Sequence, residues 1–186
     1  MNNPLIRSFD ITFALIGLIV GLPVLLVLFL IGLADTGSPI FRQSRVGRYQ
    51  KPFTLVKFRT MKKETAHVAS HLASRDAITP FGHFLRRTKL DELPQLWNVL
   101  VGDMSLVGPR PCLFNQDELI AEREQRGVFN VRPGITGLAQ VQDIDMSMPK
   151  LLAETDARMI QSITLGQYFR LIADTLTGKG RGDRVV

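Results

Sequence analysis

Between Ile11 and Ala34 the chain carries no charged residue, a run of 24. A helix needs about 20 apolar residues to cross a hydrocarbon core, so this segment is long enough to enter or span a membrane. A cleaved secretory signal fits poorly, because the run is too long and only Ala34 matches a small-residue cleavage site. Pro23 lies at the middle, where its missing N–H removes a helical hydrogen bond, and Gly17 and Gly21 permit close approach just before it. Arg7 and Asp10 precede the run, whereas Arg42, Arg45, Arg48 and Lys51 follow it, which places the following segment on the cytoplasmic side. The residues allow two topologies: a spanning helix with the N-terminus outside, or a bend at Pro23 that returns both ends to one side.

The remaining length suits one modest domain, since the chain has 186 residues and part of its 45% hydrophobic content sits in that run. A net charge of +6 favours an anionic partner, which could be nucleic acid, an acidic membrane surface or a phosphorylated substrate. Nucleic acid is disfavoured because no binding motif is present and few aromatics are available for base stacking. A single Cys112 excludes an internal disulfide framework and fits a reducing compartment; set between Pro111 and Leu113, it reads as a packing residue.

The densest chemistry lies from Thr79 to Pro111. Pro94 is tolerated only in a first helical turn, so a helix is expected from about Asp91, with Leu93, Leu96, Trp97 and Leu100 as its buried stripe and Gly102 as its stop. Asp91 and Glu92 stand side by side in that first turn. Their mutual repulsion is relieved by a divalent cation, and a helix start favours an anion. A plainer reading makes Thr88 and Asp91 a capping box.

Cations surround this centre in the sequence. Pro52 to Met61 reads as extended, with Lys57 and Arg59 on one face. Arg86 lies five residues before Asp91; Arg110 is held between Pro109 and Pro111; Arg132 opens the turn Pro133-Gly134. Each could be a phosphate ligand or an ordinary surface cation. Lys62 to Arg75 reads as a polar connector, in which His67 and His71 lack a third metal ligand at zinc-site spacing. Thr79-Pro80 starts the next helix. Near the C-terminus Leu165, Phe169, Ile172 and Leu176 recur at helical spacing ahead of Lys179, Arg181 and Arg184, as in a core helix or an interfacial one.

The runs Lys57-Phe58-Arg59-Thr60-Met61, Thr79 to Thr88 leading into Asp91-Glu92, Gly102 to Pro111 and Val131 to Gly137 together resemble the monotopic phosphoglycosyl transferases of the bacterial sugar transferase family. The resemblance covers nearly the whole chain. It implies a helix-rich α/β domain, residues 37–186, with a C-terminal interfacial helix, held on the cytoplasmic face of the inner membrane. It also implies a re-entrant helix hairpin, residues 1–36, broken at Pro23. The implied reaction moves a phosphosugar from a nucleotide sugar, of UDP type, to a polyprenol phosphate, releasing UMP. Asp91 would be the nucleophile, Mg²⁺ would be held by Glu92 and shared with Asp91, and Arg86, Arg110 and Arg132, with Lys57 and Arg59, would face phosphates. Thr136, Gln140 and Asp156 are candidate substrate residues. The chain departs from the family pattern at Leu22, where a serine often stands, at Gln142 to Asp145, where many members carry Asn-Gly-Arg, and at Met159, where tyrosine is frequent. Two other classes share some of these residues: a metal-dependent membrane phosphohydrolase and a non-enzymatic basic membrane-anchored binding module.

Overall fold

In the structure, a computed structural model that describes residues 3–65 and 75–180, the apolar run forms one helix, α1 (Pro4–Thr36). Asn3 caps its start by accepting from the Leu5 N–H at 2.9 Å. Gly37 ends it in the left-handed region (φ 69°), a conformation glycine adopts without strain. One stripe faces the rest of the protein along the whole length: Ile6, Asp10, Ala14, Leu28 and Gly32 are buried. Gly17 lies against Leu96, and Gly32 against Pro39 and Phe81. The opposite face is bare, and only 11% of the most apolar eighteen-residue stretch is buried. The helix continues through Pro23, so the two-helix hairpin expected there is not shown. The proline removes one N–H from the hydrogen-bond ladder, and the residues on both sides of it stay helical.

β1 (Ile40–Val46) and β2 (Pro52–Phe58) form an antiparallel hairpin in which Ile40 pairs with Phe58 and Val46 with Pro52. Its turn holds Tyr49 and Gln50 at φ 56° and 57°. β2 ends three residues short of the expected Met61, because the Thr60 carbonyl turns to accept from Thr79 and Met61 bridges Ile78. α2 (Pro80–Thr88) then begins as expected, with the Thr79 hydroxyl accepting from the Gly82 N–H at 2.9 Å. Gly82 sits so close to the Thr60 backbone that an added Cβ would lie 2.0 Å from its carbonyl oxygen.

Two expectations fail at the next turn. Thr88 is the last residue of α2 and donates its hydroxyl to the Phe84 and Leu85 carbonyls, so it forms no capping box with Asp91. Lys89, at φ 57°, separates α2 from a 3-10 turn, Leu90–Glu92, and α3 (Gln95–Val101) follows Pro94 and stops at Gly102. Within α3 the buried residues are Gln95, Asn98 and Val99, while Trp97 is 56% exposed. Asn98 turns inward because β2 offers it partners: its side chain accepts from the Val56 N–H at 3.1 Å and donates to the Thr54 carbonyl at 2.8 Å.

β3 (Ser105–Val107) pairs in parallel with β4 (Gly134–Thr136). Between them run α4 (Asp117–Gln125) and a 3-10 turn, Val128–Asn130; after them come α5 (Leu138–Val141), α6 (Pro149–Ser162) and α7 (Leu165–Leu176). Among the described residues the fold is therefore helix-rich with two small sheets. The core forms around these joints: Ile6, Val107, Met159, Tyr168 and Leu171 in one cluster, Leu28, Phe58 and Leu85 in another. In α7 the inward residues are Tyr168 and Leu171, while Leu165, Phe169 and Leu176 face out, the last 83% exposed. Phe169 contacts the Phe9 and Phe13 rings of α1 edge-on. Expectations for His67 and His71, for most of the Lys62 to Arg75 connector, and for Arg181 and Arg184 lie outside the described residues.

Candidate functional site

Asp91 and Glu92 ride on the short 3-10 turn between α2 and α3 and open into a cavity of about 790 Å³. Lys57 from β2, Arg86 from α2, Lys89 and Arg110 line it. Thr136, Gln140, Asp143 and the chain from Thr175 to Gly180 also line it. Asp91 is 7% exposed. Burial and the adjacent Glu92 push its carboxyl up to about 6, against the pull of Lys57, Arg86 and Arg110. At neutral pH it is a largely ionised, poorly hydrated carboxylate, which is a better nucleophile than one in bulk water.

The cations are held in different ways. Arg110 places Nη1 and Nη2 on one oxygen of Glu92, Oε1, at 3.0 and 3.1 Å. Arg86 donates from Nε to the Thr60 hydroxyl at 3.0 Å. Lys89 reaches the Lys179 carbonyl at 2.6 Å, which ties the segment after α7 to the turn that carries the acid pair. Burial lowers the Lys89 ammonium from its ordinary range, Glu92 and Asp143 raising it and Arg110 lowering it further.

Three sequence-selected residues lie elsewhere. Arg59 shares a face with Lys57, both over the Phe41 ring at 5.4 and 5.6 Å, but its guanidinium bonds Ser38 after α1. Arg132 donates from Nε to the Gly102 carbonyl at 2.8 Å, closing the C-terminus of α3, where Arg7 also binds the Leu100 carbonyl. Burial and the nearby Arg7 and Arg48 lower its basicity. Asp156 is 1% exposed and paired with Arg123 at 2.6 Å, outside the cavity lining. Each was selected from its neighbours in the chain, and each answers to a distant carbonyl or charge. Thr136 and Gln140 do line the cavity. The Thr136 hydroxyl meets that of Thr175, and Gln140 donates to the Ile135 carbonyl at 2.9 Å, leaving its buried Oε1 without a hydrogen bond.

Among the described residues no group of three or more His, Cys, Asp or Glu side chains could hold a metal. Two adjacent carboxylates nevertheless suit Mg²⁺, which keeps several waters and is commonly bound through one or two carboxylates together with substrate phosphates. Asp91 and Glu92 fit that mode. Cys112 is fully buried and its thiol is pushed up by burial, as befits a packing residue.

Sequence reasoning overlooked Lys89 and Arg123. Lys89 carries a signal in hindsight, since a residue between two helix-like turns must reverse direction. Arg123, in the charged run Asp117-Glu118-Leu119-Ile120-Ala121-Glu122-Arg123, looks like a solvated surface residue; only its position four after Leu119, on the buried face, hints otherwise.

Comparison with known proteins identifies the family. A family model described as bacterial sugar transferase matches residues 1–180. The chain is 44% identical over 136 residues to the Bacillus subtilis (strain 168) uncharacterized sugar transferase EpsL, covering 73% of this chain and 67% of that protein. It is 37% identical over 163 residues to the Caulobacter vibrioides UDP-glucose:undecaprenyl-phosphate glucose-1-phosphate transferase, covering 82% and 60%. It is 40% identical over 152 residues to the Erwinia amylovora UDP-galactose-lipid carrier transferase, covering 73% and 32%. The chain thus spans between one third and two thirds of the length of these relatives.

Proposed function

We propose, from the premise that this chain belongs to the bacterial sugar transferase family, that it is a phosphoglycosyl transferase moving a sugar phosphate from a UDP-sugar to a polyprenol phosphate. The observation that carries the reading is the buried Asp91 carboxylate facing a cavity among Lys57, Arg86 and Arg110. Relatives named as transferases from UDP-sugars to undecaprenyl phosphate support the substrate classes.

In the first half-reaction an Asp91 carboxylate oxygen attacks the phosphorus nearer the sugar. The bond from that phosphorus to the bridging oxygen breaks, and UMP leaves with the bridging oxygen. In the second, an oxygen of polyprenol phosphate attacks the same phosphorus and displaces the Asp91 carboxylate, giving the polyprenol diphosphate sugar. Arg86, Lys57 and Arg110 would neutralise phosphate oxygens whose charge shifts during both displacements. Glu92 and Asp91 would hold Mg²⁺, which supplies further charge neutralisation on the diphosphate.

α1 supports the membrane setting. Its 33 residues span about 50 Å as a helix. Ile6 near one end and Gly32 near the other both rest on the same catalytic unit. That is the arrangement of a helix lying along one face of the domain. It supports a monotopic anchor with both ends on the cytoplasmic side of the inner membrane, its exposed apolar face in lipid together with Trp97, Val101 and Phe169.

The test is intact-protein mass spectrometry after mixing with UDP-sugar and Mg²⁺ in the absence of lipid acceptor. A phosphosugar increment that disappears on adding polyprenol phosphate is expected. Discharge at the same rate by water alone would identify a phosphohydrolase instead.

A further inference from the structure

The loop Pro109-Arg110-Pro111-Cys112 presents Arg110 to the cavity, and its two prolines leave it with few N–H groups of its own. It is fixed instead through its carbonyls, all four of which are bound from elsewhere. The Pro109 carbonyl accepts from the Gly134 N–H at 2.9 Å and that of Cys112 from the Val46 N–H at 2.9 Å. The Pro111 carbonyl accepts from Arg45 Nη1 at 3.1 Å. The Arg110 carbonyl itself accepts from Arg123 Nη1 at 2.8 Å. Arg123 is 1% exposed, and its other nitrogens, Nε and Nη2, both donate to Asp156 Oδ2, at 3.0 and 2.6 Å.

The geometry points to Arg123, locked by Asp156, as a positioning residue for Arg110: a buried brace from α4 and α6 that sets where the Arg110 guanidinium meets Glu92 and the substrate phosphates. The arrangement gives a role to a fully buried ion pair that rests against the Arg110 backbone. A guanidinium is the side chain that can fork onto a carboxylate and still spare a donor for a carbonyl. Lysine could hold one partner well but not both in this geometry. Asp156 thereby acts two steps from the reaction, through Arg123 and then through the Arg110 backbone. Arg45 braces the adjacent carbonyl in the same way from β1.

This inference rests on the transferase reading, and the experiment separates the two. In a double-mutant cycle, Asp156→Asn is made alone and in an Arg110→Ala background, and kcat/KM for the UDP-sugar is measured in the full chain. Asp156→Asn alone is expected to lower kcat/KM roughly tenfold to a hundredfold, the scale of a misplaced catalytic group. In the Arg110→Ala background the further loss should be under about threefold, because the residue it positions is gone. Equal losses in both backgrounds, or no loss in the first, would overturn the positioning role. If Asp156→Asn unfolds at the assay temperature, Arg123→Lys in the same cycle takes its place. UDP affinity, measured by calorimetry across the same four proteins, reads the coupling without turnover. Coupled UDP binding in an enzyme that transfers nothing would sink the reaction reading alone, whereas additive effects on binding and turnover would sink the brace alone.

Discussion

Tyr168 donates its phenolic O–H to Asp10 Oδ1 at 2.8 Å, joining α7 to α1 across 158 residues of chain. The same oxygen accepts from the Ser105 hydroxyl and the Leu106 N–H at 3.0 and 2.9 Å, and Arg7 stands 3.9 Å from the other oxygen. A carboxylate 2% exposed thus ties both terminal helices to β3. Tyr168→Phe removes one donor to a buried charge and is expected to cost about 1.5–3 kcal/mol. Thermal unfolding in detergent or nanodiscs checks this; an unchanged midpoint would show that the node does not hold the anchor.

Asp91→Asn separates catalysis from helix support. The amide cannot attack phosphorus, so the covalent increment and turnover should vanish. Stability should rise, because the ionised carboxyl is disfavoured in the fold. Its rise from 3.8 to about 6 sets a limit of about 3 kcal/mol at neutral pH. A variant that keeps turnover, or one that loses stability, contradicts the assignment.

The same shift predicts a pH profile. Because Asp91 must be ionised to attack, kcat/KM should fall about tenfold per pH unit below about 6 and level off above it. The folded state holds a proton more tightly than the unfolded chain between about 4 and 6, so the contribution of this group to stability declines as pH rises through that window. An acid limb centred near 4 would show that burial does not govern the group.

Chelation of divalent ions should abolish phosphosugar transfer, with Mg²⁺ restoring it. Glu92→Gln should demand more Mg²⁺ and also free Arg110 from its ion pair, so donor affinity should change with metal dependence. Full activity in excess EDTA would remove the metal from the reading.

Topology is open to cysteine labelling. With the buried Cys112 replaced, cysteines at Asn3 and Ser44 should show the same accessibility to an impermeant reagent in intact cells. Labelling of position 3 alone from outside would establish a spanning helix.

The sequence by itself determined the features that depend on near neighbours. The long apolar segment, the Thr79-Pro80 start of α2, the Gly102 stop of α3 and the extended strand from Pro52 follow from periodicity, caps and backbone freedom, all of which act within a few residues. The acid pair was legible for the same reason. Only the tertiary structure decided which polar residues serve the cavity. Lys57, Arg86 and Arg110 reach it, while Arg59 turns to Ser38, Arg132 to Gly102 and Asp156 to Arg123. It also decided that Asn98 is buried and Trp97 exposed, since β2 offers Asn98 two backbone partners from more than forty residues away. A long cationic or amide side chain is satisfied by whichever carbonyl or carboxylate lies within reach, and that depends on how distant elements dock.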